Sequence, residues 1–128
     1  MTDTGLTVHQ ARQVGKWTVA AVTGDIDFTT ADTLYTEGHR LLVDGTGCLI
    51  LDFSAVTFCD SSGMSALIGL MREARLRNGT LALAGAPDRV GRALHQIGLH
   101  HFIPVHPDVE AAVAAAMLPP QGGDQQAK

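Results

Sequence analysis

Three polar residues, Asp60, Ser61 and Ser62, precede Gly63 at a point where the chain changes from an apolar run to a helical pattern. The first turn of a helix has backbone N–H groups without intrahelical partners and carries positive partial charge, so it accommodates anions. A serine hydroxyl there is a suitable acceptor for a phosphoryl group, and the helix would tolerate the added charge. The residues alone also permit a simpler role, in which Asp60 or Ser61 caps the helix and Gly63 allows a tight entry.

The chain before this point predicts a β-hairpin and then a helix. Segments 6–13 and 17–23 are rich in β-branched and apolar residues, and a short Val-Gly-Lys connection separates them, as expected for an antiparallel hairpin. After residues 24–27, Gly-Asp-Ile-Asp, apolar side chains recur at helical spacing over 30–43. Gly38 interrupts this helix at a cost of about 1 kcal/mol relative to Ala, which predicts close packing against the sheet.

The remainder of the chain alternates between strand and helix patterns. Residues 48–53, Cys-Leu-Ile-Leu-Asp-Phe, form a nearly continuous apolar run that is typical of a strand buried on both faces. Periodicity and turn residues then predict a helix over 62–77, a strand over 80–84, a helix over 87–97, an edge strand over 102–105 and a helix from Asp108. This order predicts an α/β fold with a mostly parallel mixed sheet of about five strands, an N-terminal antiparallel hairpin and about four helices.

Length and composition limit the class of protein. The 128 residues fit one domain, which we place at 5–117, and the polar Pro/Gly-rich residues 118–128 are expected to be a disordered C-terminal tail. With 45% hydrophobic residues and no apolar window near the roughly 20 residues of a membrane span, we expect a soluble globular protein. A formal net charge of −4 without a Lys/Arg-rich block argues against direct nucleic-acid binding. The N-terminus has no signal-peptide pattern, which favours the cytoplasm, where Cys48 and Cys59 would be packed free thiols.

Two acidic loops are expected to meet at one edge of the sheet. In an open α/β sheet, ligands and chemistry gather at the carboxyl ends of the strands. The segment after Phe53 leaves one such end, and residues 24–27 leave another. If the two strands are adjacent, Asp25, Asp27 and Asp60 lie near Ser61.

Together these segments resemble the STAS domain of bacterial anti-sigma-factor antagonists, over roughly residues 5–117. The resemblance is carried by Gly-Asp-Ile-Asp at 24–27, the apolar strand at 49–53, Asp-Ser-Ser-Gly at 60–63 opening a helix, and the segments 79–84 and 87–99, in this order. The motif has its expected strand-to-helix context, which supports a functional role for it.

The resemblance implies a switch controlled by phosphorylation. In that family the first serine of the Asp-Ser-Ser-Gly motif is the phosphate acceptor, which corresponds to Ser61, and Ser62 is the less favoured candidate. The partner is an anti-sigma factor that is also a serine kinase of the histidine-kinase-like ATPase type. The unmodified antagonist binds it and frees the sigma factor, phosphorylation blocks binding, and a metal-dependent serine phosphatase restores the active form. The residues expected to contact the partner are Asp25, Asp27, Asp60, Ser61, Ser62, Gly63, Met64 and Ser65.

We expect Met64 and Ser65 to be exposed on the first turn of the helix, beside the motif. We expect no cofactor and no metal ion. The switch itself needs no catalysis by this chain.

Two kinds of chemistry at the same residues are less well supported. A hydrolase would use Ser61, Ser62 or Cys59 as nucleophile and a histidine as base, but the chain has no Gly-x-Ser-x-Gly elbow. An aspartyl-phosphate receiver would use Asp52 or Asp60 as acceptor, but the acidic pair and downstream lysine that such a site needs are missing. We therefore expect that the chain is not an enzyme.

Two further interpretations concern the histidines and the role of the domain. His95, His100, His101 and His106 lie close in sequence, but their spacing matches no metal-binding motif, which favours a surface or packing role. STAS domains also serve as subunits of stress-sensing complexes and as parts of transport systems. In that alternative the chain would be a protein-binding module that is not phosphorylated.

Overall fold

A computed structural model describes residues 5–117, which contain one mixed sheet of five strands in the order β1-β2-β3-β4-β5. Strands β1 and β2 pair antiparallel, and the other neighbours pair parallel. The strands are β1 (Leu6–Val14), β2 (Trp17–Ile26), β3 (Cys48–Cys59), β4 (Thr80–Ala84) and β5 (Val105–His106). The predicted fold class, with its hairpin at one edge, is confirmed. The domain limits 5–117 stay a prediction, and the tail predicted at 118–128 lies outside the described residues.

Four helices cover the two faces of this sheet. They are α1 (Ala31–Asp44), α2 (Ser61–Leu76), α3 (Asp88–Gln96) and α4 (Val109–Met117), with a short 3₁₀ turn at Leu99–His101. The first three helices share the main core with alternate residues of the central strands, such as Leu51 and Phe53. Helix α4 packs on the opposite face, where Ala112 meets Val19, Ile50 and Ala82. Because side chains alternate along a strand, the first half of β3, residues 48–53, is covered on both faces.

Close packing at Gly38 is confirmed, but its partner differs from the expected one. A Cβ atom on Gly38 would lie 2.7 Å from Cδ1 of Leu70, which belongs to α2. The prediction placed this contact against the sheet. The glycine instead lets α1 approach α2, so the helices that begin beside the two acidic loops pack directly against each other.

Two strands run further than predicted. Strand β3 continues past Phe53 to Cys59, and β2 continues to Ile26. The added part of β3 contains Val56 and Thr57, whose β-branched side chains favour an extended backbone. Register shifts in the β2–β3 pairing accompany the extension. Asp25 therefore lies within a strand and not in a loop.

The predicted edge strand at 102–105 is displaced. Gly98 has a φ of 77°, and the chain after it forms the 3₁₀ turn before the two-residue strand β5 begins at Val105. The carbonyl of Pro104 accepts a hydrogen bond from the Leu83 N–H at 2.9 Å. Proline has no N–H of its own, which suits the position before a short edge strand.

Candidate phosphorylation site and partner surface

The candidate site lies at the carboxyl ends of β2 and β3. The two strands pair through Asp25 with Phe58 and through Ile26 with Cys59. The N–H of Asp60 then donates to the carbonyl of Ile26 at 3.1 Å. The sequence predicted that the two acidic segments would be neighbours if their strands were adjacent. The strands are adjacent, and the two segments therefore lie side by side.

Asp60 is the N-cap of α2. Its Oδ1 accepts hydrogen bonds from the backbone N–H of Ser62 at 2.8 Å and of Gly63 at 3.3 Å. Its carbonyl accepts the N–H of Met64 at 3.1 Å. A carboxylate here satisfies donors that the helix cannot pair itself and matches the helix dipole. The capping role that the sequence left open between Asp60 and Ser61 belongs to Asp60.

Gly63 brings the start of α2 close to the strand ends. A Cβ atom on Gly63 would lie 2.5 Å from Cγ2 of Ile26 and 2.7 Å from Sγ of Cys59. Cys59 is buried, and this burial, with a smaller contribution from the charge of Asp60, raises the pKa of its thiol to about 12. Because a thiolate is the reactive form of cysteine, Cys59 is a packing residue in this structure.

The residues of the first turn of α2 differ in exposure. Ser61 and Ser65 are exposed and Ser62 is half-buried. Met64 is buried, with 7% of its surface exposed, and belongs to the main core. The expectation that Met64 is exposed is wrong, because the apolar stripe of α2 that continues to Leu67 begins at this residue. Of the two serines in the motif, Ser61 is the more accessible.

The turn between β2 and α1 is fixed by hydrogen bonds. Oδ1 of Asp27 accepts the Thr29 N–H at 2.9 Å and the Thr29 hydroxyl at 2.6 Å. The Thr30 hydroxyl accepts the Asp27 N–H at 2.9 Å and donates to the Asp25 carbonyl at 2.8 Å. The bonds from Thr29 lower the pKa of the Asp27 carboxyl. The turn is therefore held in one conformation by its own side chains.

Each predicted aspartate has its own structural partner. The Thr57 hydroxyl donates to Oδ1 of Asp25 across the β2–β3 pair, whereas Asp27 holds the turn and Asp60 caps the helix. Within residues 5–117, no hydrogen bond joins the Ser61 hydroxyl to any of these carboxylates. The structure thus places the three aspartates around the site without making one of them a base for Ser61.

A groove between α1 and α2 was not predicted from the sequence. It has a volume of about 420 Å³ and lies between Phe28, Asp32 and Tyr35 on one side and Ser62, Ser65 and Ala66 on the other. Phe28 is 80% exposed. The signal in the sequence was an aromatic residue inside an otherwise polar turn, Asp-Phe-Thr-Thr.

The alternative chemistries find no matching geometry in the part of the chain that the structure describes. No imidazole is hydrogen-bonded to Ser61, Ser62 or Cys59 there; His39, for example, faces Glu73 at 3.5 Å. Asp52 lies in the middle of β3 and not at its end, and its Oδ1 accepts the Ser54 N–H at 3.0 Å. This position is wrong for a receiver-type acceptor.

Residues 5–117 contain no group of three or more His, Cys, Asp or Glu side chains arranged to hold a metal ion. His95 and His100 stack with ring centroids 3.8 Å apart, so their nitrogens do not converge on one point. None of the helices in this range is both long enough and apolar enough to span a membrane.

Comparison with known proteins identifies the fold family. A family model described as the STAS domain matches residues 9–112. The chain belongs to the STAS family. This STAS domain is 26% identical over 89 residues to the anti-sigma-B factor antagonist of Staphylococcus aureus, a match that covers 70% of this chain and 82% of the relative.

Two solved structures show the same fold. An anti-sigma factor antagonist from Mycobacterium paratuberculosis superposes with a TM-score of 0.78 at 24% identity, covering 89% of this chain and 96% of the other. A sulfate transporter family protein from Wolinella succinogenes superposes with a TM-score of 0.71 at 23% identity, covering 83% and 88%. The STAS fold is thus shared by relatives with different roles, and the site has to indicate which role applies here.

Proposed function

We propose that this STAS domain is a cytoplasmic anti-sigma-factor antagonist that is switched off by phosphorylation of Ser61. The observation that carries the proposal is the position of the Ser61 hydroxyl, exposed on the first residue of α2, between a fixed cap and a fixed turn. The similarity to the antagonist of Staphylococcus aureus supports the same role. The unmodified chain would bind an anti-sigma factor and release the sigma factor, without contacting nucleic acid itself.

The cap determines where a phosphate on Ser61 would go. Asp60 already accepts the N–H groups of Ser62 and Gly63. A phosphate carries a charge of about −1.5 to −2 at neutral pH, and it would be repelled by the Asp60 carboxylate. It would therefore project outward from α2, where a partner meets the surface, and would leave the packing of the domain unchanged.

The energy available at this position is sufficient for a switch. A hundredfold loss of affinity requires about 2.8 kcal/mol. Two unit charges about 4 Å apart interact by about 4 kcal/mol near a protein surface. One unfavourable contact, or the bulk of the phosphate at a tight interface, would thus be enough to lower the affinity for the partner a hundredfold.

The proposed partners follow from the family resemblance. The anti-sigma factor would also be the serine kinase, of the histidine-kinase-like ATPase type, and a metal-dependent serine phosphatase would reverse the modification. Of the predicted contact residues, all but Gly63 and Met64 are at least partly accessible: Asp25, Asp27, Asp60, Ser61, Ser62 and Ser65. Gly63 is buried against Ile26 and Cys59, so its contribution to partner binding would be indirect.

Phosphorylation by candidate partners tests the proposal. The chain would be incubated with ATP and each anti-sigma kinase from the same genome, and the modified residue would be mapped by mass spectrometry. We expect one phosphoryl group per chain, on Ser61. Modification of Ser62 would move the acceptor by one residue, and an absence of both binding and modification would contradict the proposed function.

A binding experiment tests the effect of negative charge at position 61. In calorimetric titrations we expect Ser61→Ala to bind the kinase as tightly as the unchanged chain and Ser61→Asp to bind at least a hundredfold more weakly, about 2.8 kcal/mol. Ser54→Asp is the control, because Ser54 is exposed on β3 away from α2. Equal affinities of the two Ser61 variants would show that Ser61 is not the switch.

A second function is also compatible with the fold that this chain shares with the sulfate transporter family protein of Wolinella succinogenes. In it the domain would be a protein-binding subunit of a stress-sensing or transport-associated complex. The same incubation separates the two roles, because stable binding without phosphorylation supports the passive subunit.

A further inference from the structure

The charge of the chain is concentrated at the candidate site. Segments 23–36 and 54–71 contain four aspartates and no Lys, Arg, Glu or His, which equals the formal net charge of −4 of the whole chain. The rest of the chain contains equal numbers of acidic and basic residues. The two segments are adjacent because β2 pairs with β3 and because α1 and α2 line one groove. This part of the surface therefore carries negative charge without basic residues from the same segments.

These carboxylates are not neutralised by the domain itself. Within residues 5–117, the ion pairs involve other acids: Glu37, Asp44, Glu73 and Glu110. Among the described residues, the aspartates at 25, 27 and 60 accept hydrogen bonds only from hydroxyl and backbone N–H groups, and Asp32 is exposed beside the groove. Such bonds fix the side chains but leave their negative charge.

An apolar surface lies beside these aspartates, in the groove that Asp32 also lines. Phe28 is 80% exposed and lines the groove with Tyr35 and Ala66. Its turn is already fixed by the bonds from Thr29 and Thr30. A preformed turn loses little conformational entropy on binding, and exposed aromatic side chains in such settings are common binding hot spots.

We propose that the groove beside Phe28 receives an apolar side chain of the anti-sigma partner, which is flanked in the partner by Lys or Arg side chains that meet the aspartates. This inference rests on the proposed function and names the chemistry of the partner surface. Apolar contact with Phe28 and Tyr35 supplies most of the affinity. The aspartates select a basic partner and accelerate the encounter. Because such a partner would attract added negative charge, the phosphate on Ser61 would then block binding through its bulk, on the side of the groove lined by Ser62 and Ser65.

Binding of paired variants tests this inference. Phe28→Ala is compared with Leu76→Ala, because Leu76 is 78% exposed at the end of α2, far along the helix from the groove. Against an anti-sigma kinase that binds the unchanged chain, we expect Phe28→Ala to weaken binding about thirtyfold or more, the range of a hot spot. Leu76→Ala should leave the affinity unchanged.

The contribution of the aspartates is measured separately, through the association rate constant. Asp32→Asn should lower the association rate constant and reduce its dependence on salt, with a smaller change in the dissociation rate constant. Thermal unfolding of each variant controls for folding, since neither Phe28 nor Asp32 is buried. An affinity of Phe28→Ala within threefold of the unchanged chain, or a salt-independent association rate, would overturn this inference and leave the proposed function standing. Failure of every anti-sigma kinase to bind the unchanged chain would overturn both.

Discussion

The two ends of the sheet carry clusters of different polar side chains. At the carboxyl ends of β2 and β3, carboxylates accept hydrogen bonds from hydroxyl and N–H groups, as Asp27 does from Thr29 and Asp60 from Ser62. At the opposite end, after α3, the rings of His95 and His100 stack at 3.8 Å and those of His100 and His101 lie 4.1 Å apart.

The difference lies in what each cluster does with charge. The acidic cluster keeps its negative charge and uses it to fix the backbone, so it presents a rigid charged surface. The imidazole cluster packs ring against ring, and His100 within it has a lowered pKa because of its burial and, to a smaller extent, its histidine neighbours. One end is suited to a charged partner, and the other is sensitive to acid.

The close packing at the acidic end requires a glycine at position 63, where a Cβ atom would lie 2.5 Å from Cγ2 of Ile26. We expect Gly63→Ala to lower the free energy of unfolding by about 1–3 kcal/mol, because the added methyl group would overlap Ile26 and Cys59. Urea titration followed by circular dichroism measures this loss. Gly91→Ala in α3 is the control, since its Cβ would meet only the Ala86 carbonyl at 4.0 Å. That variant should be neutral or stabilising by up to about 1 kcal/mol. Equal stability of the two variants would show that the strand ends yield to the extra atom.

The importance of this glycine follows from an arrangement that the sequence predicts only in part. The periodic patterns located the strands, the helices and the motif at 60–63, because burial repeats along a helix or strand. Pattern reasoning stopped β3 too early because Ser54 and Ala55 interrupt the apolar run, although the strand continues to Cys59. The close contact of Gly63 with Ile26 depends on this extension and on the β2–β3 register.

The groove shows a second limit of the sequence. Phe28 precedes the helical pattern of α1 and belongs to no periodic stripe, so nothing in the spacing marks it as exposed. Met64 has the opposite problem: its place beside the motif suggested exposure, but the phase of α2 turns it into the core. The three-residue spacing from Met64 to Leu67 does indicate that Met64 is buried, whereas the exposure of Phe28 depends on how its turn packs, which no local pattern contains.

The cap of α2 gives the next largest effect. Asp60→Ala should destabilise the domain by about 1 kcal/mol, because the N–H groups of Ser62 and Gly63 lose their acceptor. Asp60→Asn retains an acceptor and should recover most of that stability, although it removes the charge. Thermal and urea unfolding measure both variants. A loss in Asp60→Asn as large as that in Asp60→Ala would assign the effect to charge and not to the hydrogen bonds.

The imidazole end gives the smallest effect, which depends on pH. Burial, and then the neighbouring His95 and His101, lower the pKa of His100 from its ordinary value of 6.5. Its Nδ1 is buried and has no hydrogen-bond partner among residues 5–117. The folded chain thus binds this proton more weakly than the unfolded chain does. The stabilisation is complete above pH 6.5 and is lost as the pH falls through the lower pKa of the folded state.

Thermal unfolding between pH 8 and pH 5 measures this loss. We expect His100→Gln to show a smaller decrease in Tm on acidification than the unchanged chain. His9→Gln, which changes an exposed histidine on β1, should leave the decrease as it is. If His100→Gln and the unchanged chain lose the same Tm, the stacked rings do not disfavour the proton. The contrast between the two ends of the sheet would then rest on the acidic cluster alone, because only that cluster would have a charge-dependent effect.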